Sequence, residues 1–267
     1  MKIKNVNVHI ISVPLKVKTW TAQESHSDVS CLLVDIETDD GLRGVGQVAG
    51  PKLTTVRDYV LQFGDIINGM DARSSTVIWD KLFSLTSPRP YGADANDGLP
   101  PPLARFDRPQ ITAAIGGIDN ALWDIKGKAA NMPVFRLLGG EESKIPVYAT
   151  GGYLKKGAPI TACADELKAF VDRGYTAVKL KVGHHTMEEE VERVGATRDA
   201  IGDAMFMLDM NACYDLNECI LFAQAVEPFN LTWIEEPLHW YLQPSDFAKL
   251  AAATTIPLAH GERLYDR

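Results

Sequence analysis

The sequence predicts an α/β protein: an α+β capping domain over residues 1–128, then over 129–267 a (β/α) barrel of the TIM type, truncated after about five βα units. Three observations carry this. From residue 144 onward, strand-like apolar runs alternate with helical ones in units of about 25–30 residues, the signature of parallel strands joined by crossover helices. Charged residues stand at the ends of successive strands, as they do where a barrel gathers its site from many strand ends. An open doubly wound sheet would gather a site mainly at its switch point. The region before residue 144 lacks this alternation and reads as antiparallel strands followed by helices.

In chain order, Ile3, Val6, Val8, Ile10 and Val13 make a first strand. Residues 31–38 (CLLVDIET) and 42–49 (LRGVGQVA) flank Asp39-Asp40-Gly41, a strong hairpin turn signal. The polar stretch 16–28 reads as a loop. Helical spacing covers 54–68 and 73–86. The Pro-, Gly- and Asp-rich stretch 87–108 is expected to be a long loop, of a length often used as a lid. A helix follows with Ile115, Ile118, Leu122 and Ile125 on one face, ending near Asn131-Met132-Pro133. Strands are then expected at 145–150, 175–181, 204–209, 231–235 and 256–261, and helices at 161–173, 187–200, 215–227 and 244–253. A closed barrel needs eight such units, so roughly 80–120 further residues are expected in a complete one.

Composition narrows the function. The formal net charge of −8 argues against a nucleic-acid surface. It leaves room for a small anionic substrate held by a local cationic site. No apolar run is long enough to span a membrane. The basic-then-apolar start lacks a small-residue cleavage site and alternates like a strand, not a signal peptide. Cys31, Cys163, Cys213 and Cys219 form no CxxC pair, which leaves out a zinc knuckle and points to a reduced, cytoplasmic setting. Gly44, Gly46 and Gly50 do not make a dinucleotide fingerprint.

The chemistry lies at four strand ends. In Lys179-Leu180-Lys181, alternation turns both lysines to the barrel interior. Two enclosed ammonium groups disfavour each other's protonation, which is expected to lower at least one pKa toward the range a general base needs. Asp209, Glu235 and Glu262 follow at successive strand ends, about one βα unit apart. Three converging carboxylates repel unless a cation joins them, and Mg²⁺ suits two or three carboxylates plus substrate oxygens. Singly, each such residue is an ordinary solvated one. The ordered set of Lys-x-Lys, Asp-x-Asn, Glu-Glu-Pro and Gly-Glu is far more specific. An aldolase-like use of Lys181 in a Schiff base would leave the three carboxylates without a task. His184 and His185 read as loop residues, His239 lies near the rim, His260 is expected deeper in the barrel, and Trp123 and Trp233 read as packing.

Taken together, VKLKVG (178–183), LDMN (208–211), WIEEPL (233–238) and HGER (260–263), with GGIDNALWDIKGKAANMPVFRLLGG (116–140) before them, resemble the enolase superfamily, most closely its mandelate racemase group. The likeness runs over essentially the whole chain. It implies Mg²⁺-dependent removal of the α-proton of a small carboxylate substrate through an enediolate, a pattern shared across that superfamily. By position, Lys181 would be the base, with Lys179 against the substrate carboxylate and lowering the pKa of Lys181. Asp209, Glu235 and Glu262 would bind Mg²⁺, and Asn211 would contact substrate. Glu236 is expected to alternate away from the metal. The outcome would be a racemase or epimerase, or an acid-sugar dehydratase, on an α-hydroxy acid or sugar acid. A muconate-type cycloisomerase is the alternative, as is a catalytically incomplete fragment, since the partner acid of such enzymes sits on later strands. A homo-oligomer is the family's habit.

Overall fold

Val, Ile and Thr recur through the amino-terminal stretch, and the computed structural model builds them into a three-stranded sheet ordered β1-β2-β3. It describes residues 1–50, 52–87, 103, 105–141 and 144–264. β1 spans Ile3–Trp20, β2 Ser25–Thr38 and β3 Arg43–Val48. β2 and β3 pair antiparallel from Leu32 opposite Val48 to Glu37 opposite Arg43. The turn falls on Asp39-Asp40-Gly41, where Gly41 takes φ 85°. The stretch 16–28 differs from the expected loop. β1 continues to Trp20 and β2 begins at Ser25, leaving only a tight turn closed by Thr21 N–H donating to Glu24 O at 2.9 Å. Lys16-Val17-Lys18-Thr19 does alternate, but Val17 is 57% exposed, so the strand buries little and its polarity resembles that of a loop.

Three helices follow: α1 Leu53–Ile67, α2 Ser75–Ser84 and α3 Arg108–Ala129. α3 lies directly on β3, and glycine makes that approach possible. A Cβ at Gly46 would collide with the carbonyl of Gly117, and one at Gly44 with that of Ala121. These glycines therefore serve helix-on-strand packing. Leu32, Val34 and Ile36 from β2 pack with Val60, Phe63, Ile115, Ile118, Leu122 and Ile125 into one apolar cluster. Most of the stretch 87–108, read as a long loop, lies outside the described residues. Its end, Arg105–Asp107, is a 3₁₀ turn leading into α3. Pro133 then precedes a short α4, Val134–Leu137.

From Ala149 the chain alternates strand and helix. β4 Ala149–Gly151, β5 Ala177–Lys181, β6 Met205–Asp209, β7 Trp233–Glu235 and β8 Leu258–Ala259 form a parallel sheet in sequential order. α5 Ala162–Asp172, α6 Met187–Ile201, α7 Leu216–Val226 and α8 Pro244–Ala253 are the crossovers. Local sequence starts two of them: Thr186 with Glu189 and Asp215 with Glu218 each form a reciprocal capping box. Leu180, Leu208 and Ile234 point to the helix layer and are fully buried with Leu167, Val194, Phe222 and Leu250. Their neighbours Lys179, Lys181, Asp209 and Glu235 take the opposite face.

By internal contact the described residues form two compact units: Met1–Val13 with those of Val29–Lys144, and Pro14–Asp28 with Ile145–Leu264. The outer end of the β1–β2 hairpin thus belongs to the unit with the parallel sheet. Among the described residues, no helix is long and apolar enough to cross a membrane.

Candidate active site

Parallel register lines up the charged strand ends. Lys181 on β5 stands opposite Asp209 on β6, and Asp209 opposite Glu235 on β7. All five residues of β5 are buried, so the two lysines sit where free ammonium groups would be costly. They are not free. Lys181 Nζ donates to Asp209 Oδ2 at 2.5 Å and to Asn211 Oδ1 at 3.0 Å. Lys179 Nζ donates to Glu235 Oε1 at 2.6 Å and lies 3.3 Å from the same Asp209 oxygen. Two aromatic faces complete the lysines' surroundings: Tyr148 lies 5.2 Å from Lys179 Nζ and Tyr153 5.6 Å from Lys181 Nζ.

For Lys179 this pairing reverses the expected direction. The adjacent lysines were expected to lower a pKa, and burial does act that way on Lys179. The hydrogen bond to Glu235 and the charges of Asp209 and Glu235 outweigh it and push the Lys179 pKa up to about 12. Sequence spacing put the carboxylates near the lysines but did not show that each ammonium would be paired with one.

Glu262 lies beyond β8 in a turn closed by Leu264 N–H donating to Gly261 O at 3.0 Å. Its side chain is half exposed and lies 3.3 Å from Arg263 Nε. Burial raises its carboxyl pKa, and the charges of Glu236 and Asp209 add to that rise. Among the described residues, no three of His, Cys, Asp and Glu stand close enough together to hold a metal. Asp209 and Glu235 nonetheless share one cation, the Lys179 ammonium. Lys181, Asn211 and Glu262 line a common pocket of about 200 Å³ with Tyr153, Trp240 and the hairpin-turn residue Gln23.

Sequence reasoning missed Glu236. A regular strand would turn it toward the helices, but β7 ends at Glu235, and Glu236 takes a left-handed φ of 45°. Its carboxylate is buried, accepting from Trp240 Nε1 at 2.7 Å and from Asn211 Nδ2 at 3.5 Å. Asn211 and Ala212, just past β6, are also left-handed, with φ 44° and 58°. Each such residue costs on the order of 1–3 kcal/mol, and such strain concentrates at functional sites. Trp233, read as packing, does pack edge-on against Tyr148, but it also donates Nε1–H to Glu235 Oε2 at 3.4 Å.

A second buried acid went unread. Glu190, on the helix after Lys181, accepts the backbone N–H groups of Gly183, His184 and His185 at 2.8–3.1 Å. Its other oxygen binds Arg193 Nη1 at 2.6 Å, and Arg193 Nη2 donates to Gly152 O at 2.9 Å. The only sequence signal was an i,i+3 acid–base pair, which usually means a solvated face. His184 and His185 are loop residues, as expected, and burial pushes the His184 pKa down to about 4. His239 lies tilted against Trp240 and Tyr241 and does not line the pocket. His260 is exposed against Phe247, not deep in the barrel, because β8 ends at Ala259 and the strand alternation ends with it.

Comparison with known proteins places the chain in a family. Residues 3–139 match the mandelate racemase / muconate lactonizing enzyme N-terminal domain, and 162–267 the enolase C-terminal domain-like family. The chain is 31% identical to arabinonate dehydratase of Saccharolobus solfataricus, over 87% of this chain and 59% of that protein. It is 32% identical to D-galactarolactone cycloisomerase of Agrobacterium fabrum, over 100% of this chain and 66% of that one. The structure of L-talarate/galactarate dehydratase from Salmonella typhimurium LT2, with Mg and L-lyxarohydroxamate, is similar at a TM-score of 0.82 and 28% identity, over 98% of this chain and 64% of that chain. The chain thus spans about three fifths to two thirds of the length of these relatives. It belongs to the mandelate racemase / muconate lactonizing enzyme family of the enolase superfamily.

Proposed function

We propose that this chain carries the base and metal half of an enzyme that removes the α-proton of a small carboxylate, with Lys181 as base and Mg²⁺ as cofactor. The observation that carries the reading is one convergence: Lys181 Nζ, held at 2.5 Å by Asp209, lines the same pocket as Asn211 and Glu262. The relatives' names supply the substrate class, sugar acids, and the Salmonella structure supplies the metal. In this reading the parallel sheet is the first part of a (β/α) barrel, and the amino-terminal region is its cap.

The donor chemistry fits a hard divalent cation. Asp209 Oδ2 and Glu235 Oε1 already converge on a cation, Lys179 Nζ, and the Glu262 pKa is raised first by burial and then by the charges of Glu236 and Asp209, both of which added positive charge would offset. Asp209, Glu235 and Glu262, which do not stand close enough together to do so as they are, would draw together to hold Mg²⁺. Bound there, it supplies a positive charge against the negative charge developing on the substrate carboxylate. With Asp209 and Glu235 engaged by such a cation, Lys179 would be released from them, and Lys181 would keep its bond to Asn211 Oδ1. Lys179 is then placed to meet the substrate carboxylate, and Lys181 to take the α-proton at Nζ. Asn211 holds Lys181 from the side and borders the pocket, where it is placed to contact substrate. β5 is buried along its length, and Lys181 meets solvent at the pocket.

Dehydration and cycloisomerisation share this first step, and the relatives' names divide between them. Analysis of the product from galactarate and from a galactarolactone separates the two. The metal assignment is tested by thermal unfolding. Mg²⁺ at about a hundred times its Kd stabilises by about 2.7 kcal/mol, which raises Tm. Glu235→Gln removes that response, and an unchanged wild-type Tm with Mg²⁺ would contradict the assignment.

A further inference from the structure

Glu236 is buried, charged and left unused by the reaction as drawn above. It sits beside Glu235 and yet points to Asn211 and Trp240, because its backbone adopts φ 45° where strand β7 stops. The backbone around it is tied in register. Glu236 N–H donates to Ala259 O at 2.9 Å, and Glu236 O accepts from Ala212 N–H at 2.8 Å. Asn211 N–H donates to Asp209 Oδ1 at 3.1 Å, which fixes the start of the Asn211 side chain. What remains free at Asn211 is the rotation that exchanges its amide oxygen and nitrogen.

That choice matters to Lys181. A carboxylate only accepts hydrogen bonds, an ammonium only donates them, and an Asn amide between the two has one end suited to each. With Glu236 Oε2 on one side, the amide presents its NH₂ there, at 3.5 Å, and turns Oδ1 to Lys181 Nζ, at 3.0 Å. The reverse orientation would set an NH₂ against an ammonium and an oxygen against a carboxylate, both repulsive. We propose that Glu236 is a positioning residue for Lys181: its carboxylate fixes the orientation of the Asn211 amide, and Asn211 Oδ1 in turn holds the Lys181 ammonium at the pocket wall. The Trp240 bond at 2.7 Å anchors the other carboxylate oxygen, so the acid itself does not swing.

The inference rests on Lys181 being the base, but its test reads only the geometry around Lys181 and needs neither substrate nor metal. Glu236→Gln is the informative change, because a glutamine keeps the shape and can still accept from Trp240. Its NH₂ then faces Asn211 and demands the amide oxygen. The readout is the rate of reductive methylation of each lysine in the folded chain, resolved by peptide mass spectrometry. E236Q is expected to raise Lys181 labelling by about tenfold, the worth of one hydrogen bond to a charged group, and to leave Lys179 labelling unchanged. Asn211→Ala raises it similarly, and E236Q adds nothing in that background, because the residue acts through Asn211. Wild-type labelling of Lys181 in a folded E236Q, or additive effects of the two changes, would overturn the proposal. Should E236Q fail to fold, Glu236→Asp keeps the charge and shortens the reach. Raised Lys181 labelling then supports the proposal, and wild-type labelling overturns it. Loss of proton exchange in Lys181→Ala reports on the base separately, so failure of one reading is distinguishable from failure of the other.

Discussion

The two compact units bury very different things. In the first, the core is mostly apolar, and among the described residues Asp35 is its one buried ionisable side chain, paired with Arg43. The second buries Lys179, Lys181, Glu190, Arg193, Asp209 and Glu236. Taking charges out of water costs several kcal/mol each unless they are paired and hydrogen-bonded. The first unit therefore spends its sequence on close packing of glycine against helix. The second holds charges in place, and it does so in two ways. Glu190 and Arg193 are matched to each other and to backbone groups, a closed arrangement with a structural task. Lys179, Lys181, Asp209 and Glu235 share oxygens and can exchange partners, which suits a site that must admit a cation and an anionic substrate.

The largest effect expected from breaking this contrast is at Glu190. Glu190→Gln leaves the Arg193 guanidinium buried without its counter-charge, so chemical denaturation should show a loss of about 3–5 kcal/mol. A loss under 1 kcal/mol would mean that the pair is solvated. A smaller loss is expected in the first unit. Gly46→Ala pushes a methyl into the Gly117 carbonyl, and overpacking of this kind costs about 1–3 kcal/mol in the same measurement. No change would mean that α3 shifts freely on β3. The smallest concerns pH. The His184 pKa is lowered by burial from 6.5 to about 4, so the folded state favours the neutral ring. The resulting stability is fully present above about 6.5 and is lost as pH falls toward 4; the full shift would be worth about 3.4 kcal/mol, and partial exposure of the ring screens this to about 1 kcal/mol. His184→Phe, which removes the titration, should flatten the acid limb of a stability-against-pH curve; an unchanged limb would assign it to other groups.

Much of this was legible in the sequence. The crossover helices α5 to α8 fall within one residue of their expected bounds, because apolar periodicity and the Thr186 and Asp215 caps are local signals. The alignment of Lys181, Asp209 and Glu235 followed from strand alternation and βα spacing alone. Two of the misses depend on geometry past the end of a regular element, and two on partners elsewhere in the sequence. Glu236 turns inward through one left-handed residue, and His260 turns outward where β8 stops. The β1–β2 hairpin stays paired through a solvated stretch whose composition reads as loop. Glu190 looks like any helix acid until the three N–H groups after Lys181 are seen to converge on it.

The central claim is that Lys181 removes an α-proton with the help of Mg²⁺. Its most direct test incubates the chain with Mg²⁺ in D₂O against a panel of sugar acids and α-hydroxy acids, reading deuterium at the α-carbon by proton NMR. The account predicts incorporation into at least one acid by the wild-type chain and none with Lys181→Ala. Incorporation that survives in Lys181→Ala, or none in the wild type, would contradict it.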